Sequence, residues 1–62
     1  LSELPAELAA ALAAAPDAAA LFEALPPSHR REYVRWVAEA KKLETRVSRA
    51  EKAVSRLRAG QE

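Results

Sequence analysis

Apolar residues recur three and four positions apart along nearly the whole chain, which is the spacing of helices that each bury one face. Leu8, Ala11, Leu12 and Ala15 form one such stripe, and Ala18, Leu21, Phe22 and Leu25 form a second. His29, Tyr33, Trp36, Val37 and Ala40 share a third face, opposite Arg31, Arg35, Ala38 and Lys42. Prolines punctuate the pattern. Pro5 and Pro16 stand where first helical turns begin, a place proline accepts because an N–H there has no intrahelical acceptor. Pro26-Pro27 closes the second helix and opens the third. The pattern predicts an all-α chain, a small bundle of four short helices at about 5–14, 17–25, 27–41 and 44–59. The expected core is Leu8, Leu12, Leu21, Phe22, Leu25, Tyr33, Trp36, Val37, Ala40, Val47, Ala50, Val54 and Leu57.

A second architecture fits the later half. Tyr33, Trp36, Ala40, Leu43, Val47, Ala50, Val54 and Leu57 step alternately by three and four, and neither Gly nor Pro interrupts Ser28 to Ala59. Such a seam also suits two short helices followed by one long helix in a dimeric coiled coil. Periodicity leaves the two architectures level, because small bundles use near-heptad seams as well.

Composition bears on stability. Half of the 62 residues are apolar, but alanine supplies 16 of those 31 and leaves only 15 larger side chains. A core of that size is marginal, since ~25 cal/mol per Å² of buried apolar area barely offsets ~1.5 kcal/mol of ordering entropy per residue. There is no Cys and one His, so neither disulfides nor a thiolate or His-cluster metal site is expected. No apolar run approaches the ~20 residues of a membrane span. The lone glycine, Gly60, leaves no phosphate-binding loop. No signal-peptide order opens the segment, which points to the cytoplasm. The start at Leu1 reads as a piece of a longer chain, which keeps the periplasm open. The expected organisation is one helical domain over 1–62, the C-terminal module of a longer protein.

Charge is divided by position. Residues 1–27 carry Glu3, Glu7, Asp17 and Glu23 and no base, while all ten Lys and Arg lie between Arg30 and Arg58. The halves are suited to pair with each other, or the second half to meet an acidic partner. Arg49, Lys52 and Arg56 lie opposite the apolar stripe of the last helix. On an unbroken helix, Arg35, Lys42, Arg49 and Arg56 would align at seven-residue intervals. With Arg46 these residues are the candidate partner-binding face, against the plainer reading of a solvated helix surface. The aromatics Tyr33 and Trp36 are read as core fillers rather than base-stacking platforms, and His29 as a helix-start residue rather than a ligand. Glu32, Glu39, Glu44 and Glu51 read as surface partners of nearby bases. No nucleophile, base and orienting group fall together, so no catalytic, cofactor-binding or metal residue is assigned.

The run from Phe22 to Gly60 resembles the bacterial YdeI/OmpD-associated, or bacteriocin-protection, family. Leu25, Pro27-Ser28-His29-Arg30-Arg31-Glu32-Tyr33, Trp36, Ala40-Lys41-Lys42, Glu44-Thr45-Arg46, Arg49 and Leu57 carry the likeness, and the combination of SHRREY with ETR is its specific part. The family pattern has a polar residue where Pro26 stands and a proline where Leu43 stands. A proline there marks a first helical position, so the resemblance implies a break between the third and fourth helices and favours the four-helix bundle. It also implies a C-terminal helical module with a link to envelope stress, antimicrobial-peptide tolerance and an outer-membrane porin, without naming a reaction. The function expected is therefore that of a non-enzymatic helical interaction module. A protein partner is expected, either a second copy or a neighbouring domain, with no small-molecule substrate evident. The alternative is a nucleic-acid-binding module that uses the basic second half.

Overall fold

The computed structural model describes residues 4–60. Among them the chain forms four helices, α1 Ala6–Ala13, α2 Pro16–Ala24, α3 Pro27–Ala38 and α4 Leu43–Ala59, and no strand. The all-α bundle is thus the architecture. α1 and α3 are slightly shorter than their expected spans, α2 is shifted one residue toward the N-terminus, and α4 begins one residue earlier.

No helix has a side-chain N-cap. Proline does that work by backbone pre-organisation. Pro16 and Pro27 open α2 and α3 from inside the first turn. Pro5 sits one residue outside α1, where its carbonyl accepts the Ala9 N–H at 2.9 Å. Glu7, Asp17 and Glu44 place carboxylates in the first turns of α1, α2 and α4, near the positive end of each macrodipole.

The bend between α3 and α4 removes the long-helix alternative. Ala40 N–H turns back to the Val37 carbonyl at 3.2 Å, and Lys42 adopts an extended φ/ψ of −92°/140° before α4 begins at Leu43. Leu43 therefore occupies a first helical position, as the break implied by the resemblance expected. It is 66% exposed. At the far end, Gly60 closes α4 with a left-handed φ of 76°, a conformation a side chain would strain.

α4 packs against each of the other three helices and is the axis of the bundle. Leu8 and Leu12 of α1, Ala18 and Phe22 of α2, and Tyr33 and Val37 of α3 meet Ala50, Ala53, Val54 and Leu57 of α4. Phe22 and Tyr33 pack edge to face with centroids 6.3 Å apart. Three expected core positions differ. Leu21 is 44% and Val47 41% exposed, and Trp36 is only partly buried. Leu21 falls at the edge of the stripe centred on Ala18 and Phe22. Val47 faces the alanines of α1, which are too short to cover it. Trp36 packs against the margin of the core, with the guanidinium groups of Arg49 and Arg56 beside its ring. Ala15, Ala18 and Ala53 are buried instead, because small residues let short helices approach closely.

Two stability outcomes follow from this packing. Leu43→Pro should keep its helicity and melt at the same temperature as the parent or slightly higher, because the site is a first helical position after an extended residue. A gain of ~0.4–1 kcal/mol is expected from restricting the unfolded chain, read by circular dichroism during thermal unfolding. Phe22→Ala should cost ~3–5 kcal/mol, enough to leave much of so small a domain unfolded at room temperature in the same assay.

Candidate functional site

The basic residues of the second half divide into those spent inside the bundle and those presented outward. A helix ends with up to four carbonyls that lack intrahelical donors, and α2 and α3 end with no glycine to curl the chain back over them. Arginines from the following helix serve instead. Arg30 Nη1 donates to the Leu25 carbonyl at 2.6 Å and to the Glu23 carbonyl at 3.1 Å, closing α2. At the end of α3, the Arg35 and Val37 carbonyls take the N–H groups of Glu39 and Ala40. The Trp36 carbonyl takes Arg49 Nη1 at 2.7 Å. Arg46 spans the remainder, with Nε to the Ala40 carbonyl at 2.8 Å and Nη2 to the Ala38 carbonyl at 3.1 Å. Its Nη1 lies 3.7 Å from Glu7 Oε1, so the same side chain ties α1 to the α3–α4 bend.

Arg30, Arg46 and Arg49 are among the residues that carry the family resemblance. Their position explains what SHRREY and ETR do locally. They terminate helices.

The candidate basic face is accordingly split. Arg35 lies exposed in the last turn of α3, and Lys42 lies exposed at the start of α4. The bend between them breaks the seven-residue row that an unbroken helix would have made. Arg46 and Arg49 face the α3 carbonyls. Lys52 is exposed, and Arg56 turns toward α3.

Around Arg56 the surface forms a pocket of about 390 Å³ lined by His29, Glu32, Tyr33, Trp36 and Arg56. The four α3 residues are brought together by their spacing of three, one and three positions, which sets them on one helix face. The Arg56 guanidinium lies 5.9 Å from the Tyr33 ring centroid and 5.9 Å from that of Trp36. The Arg49 guanidinium lies 5.5 Å from the same indole. Two cations thus attend one partly buried tryptophan, each such contact being worth about 0.5–1 kcal/mol or somewhat more. Sequence reasoning set Tyr33 and Trp36 in the core and Arg56 on an outward face. The pocket was legible only as the three- and four-residue spacing of His29, Glu32, Tyr33 and Trp36.

A second depression, about 710 Å³, runs between α1 and α4. Ala6, Ala10 and Ala14 line one side, and Val47 and Val54 the other. At its end Arg58 and Asp17 form a bidentate pair with distances of 2.9 and 3.1 Å. That hydrogen bond, with a smaller contribution from the Ala18 N–H, holds the Asp17 carboxyl below its usual value. A lowered folded-state pKa means that the pair supports the fold above the ordinary carboxylate range, and that this support fades as pH falls through the lowered value.

Among the described residues, no three His, Asp or Glu side chains gather as a metal site, and no helix is long and apolar enough to cross a membrane.

Two substitutions test these assignments. Arg46→Gln should lower the unfolding free energy by ~1–3 kcal/mol, because it strips charged donors from partly buried carbonyls. Urea unfolding would register it. Arg58→Gln should return the Asp17 carboxyl toward 3.8 in an NMR pH titration while the fold persists.

A family model described as "Bacteriocin-protection, YdeI or OmpD-Associated" matches residues 2–60. Neither the curated proteins nor the solved structures compared with the chain gave a match.

Proposed function

Because the chain belongs to the YdeI/OmpD-associated, bacteriocin-protection family, we propose that it is a non-enzymatic interaction module that holds a protein partner on its α3–α4 face, in service of the protective role the family's description carries. The observation that supports this reading is the partly buried Trp36 beside Tyr33 and Arg56 in a surface pocket. Tryptophan, tyrosine and arginine are the residue types that dominate binding energy at protein interfaces. A small core that leaves its one tryptophan partly uncovered forgoes apolar burial it can ill spare.

The nucleic-acid alternative is weakened by the same arginines. Arg46 and Arg49 direct donors at helix carbonyls, and Arg58 is paired with Asp17. Fewer cations are left to meet phosphates, and each lost phosphate contact shallows the salt dependence by about 0.9 in log–log slope. Glu32 in the pocket would oppose a polyanion.

The test is affinity capture with the full-length protein, comparing wild type with Trp36→Ala after circular dichroism confirms that the variant folds. The expected result is a partner retained by wild type in moderate salt and lost from the variant. Binding of any oligonucleotide tighter than the ~10⁻⁶ M limit of nonspecific contacts at physiological salt would overturn the assignment.

A further inference from the structure

The α3–α4 bend is built from residues whose own preference is helix. Glu39, Ala40, Lys41 and Lys42 are all strong helix formers. The apolar seam from Tyr33 to Leu57 passes through them with its three- and four-residue steps unbroken. Side chains of α4 hold the bend, Arg49 on the Trp36 carbonyl and Arg46 on those of Ala38 and Ala40. A straight helix would pair the same three carbonyls with the N–H groups of Ala40, Lys42 and Glu44, four residues on. The bent chain, meanwhile, leaves Leu43 66% exposed.

We propose that this bend is a hinge, and that it opens to a second copy of the chain by exchange of α4. Within a single chain the bend stands. In the pair, each α3–α4 bend straightens and α4 packs into the other copy's bundle, against that copy's α1, α2 and α3. The exchange keeps the packing that makes α4 the axis of the bundle, and swapping an identical element is a low-cost route to a dimer. The new surface lies where the two straightened bends cross. In the bundle Trp36 lies beside Arg49, and Ala38 and Ala40 beside Arg46, so α3 and α4 run antiparallel and the exchanged pair keeps that register. It sets Glu39 of each copy against Arg46 of the other and covers Leu43 with Ala40, the two-fold axis falling between Lys41 and Lys42. Arg46 can take the carboxylate because the straight helix relieves it of its carbonyls. This acid–base match, made twice by symmetry, suits a second copy, and the hinge does not depend on what the Trp36 face binds.

The test uses the exposed Asp17–Arg58 pair, which joins α2 to α4 and which an exchange would form between chains. Asp17→Arg and Arg58→Asp each set like charges together within one chain. Exchange of α4 between the two variants restores an acid–base pair in both bundles. The intact variants are mixed at millimolar concentration, warmed close to the melting midpoint and cooled, and native mass spectrometry counts the dimers. Heterodimer should exceed the half that random pairing gives. Adding Leu43→Pro to both variants should remove the dimer, because proline fits a first helical position but not the interior of a continuous helix. Adding Leu43→Ala instead should keep a reduced share of it. Arg49→Gln, which takes a charged hydrogen bond from the bent form alone, should raise the dimer association constant roughly tenfold or more by sedimentation. Monomer at every concentration, heterodimer at half or less, a dimer that survives Leu43→Pro, or one lost as fully with Leu43→Ala would overturn the proposal.

Discussion

The bundle depends on how its helices end. Two short helices, α2 and α3, stop without a glycine to fold the chain over their last carbonyls, and a carbonyl left unpaired in a partly buried place costs ~1–3 kcal/mol. Arginine side chains from the following helix answer this. Arg30 closes α2, and Arg46 and Arg49 close α3. Because each donor belongs to the next element, satisfying the helix end also fixes the angle at which that element leaves. Termination and docking are one event.

That arrangement suits a chain with little hydrophobic mass. Buried alanines such as Ala18, Ala50 and Ala53 contribute small transfer energies but permit α4 to lie close to all three neighbours. Close approach brings guanidinium groups within reach of carbonyls across the bend. It also exposes what alanine cannot cover, namely Val47 beside α1. The opposite charges of the two halves add a further tie. Glu7 with Arg46 and Asp17 with Arg58 each join an acid from the first half to a base on α4. These pairs draw the two halves together at the expense of the outward basic field. The Asp17–Arg58 pair is solvent-exposed and adds little to stability, so its weight lies in orientation.

The internal use of arginine also shapes the functional reading. A basic stripe counted from sequence overstates the cations available to a ligand, since Arg46, Arg49 and Arg58 have partners within the chain. Arg56 differs in that its guanidinium lies 5.9 Å from the ring centroids of both Tyr33 and Trp36.

The sequence by itself determined the four-helix, all-α content, since helical spacing and the prolines at Pro5, Pro16 and Pro27 act locally. It also carried the family likeness over Phe22 to Gly60 and, through the proline expected at Leu43, the break before α4. Heptad spacing alone left a continuous helix open, because the bend from Glu39 to Lys42 contains no residue that forbids helix. Only the tertiary structure decided it, by providing Arg46 and Arg49 to receive the carbonyls that the bend sets free. Burial at the margins was decided the same way. Leu21, Val47 and Trp36 lie near apolar stripes, but whether a side chain at a stripe's edge is covered depends on the size of the residue opposite. The pocket at Trp36 belongs to that class, for the indole packs on the margin of the core while α4 places Arg49 and Arg56 beside it.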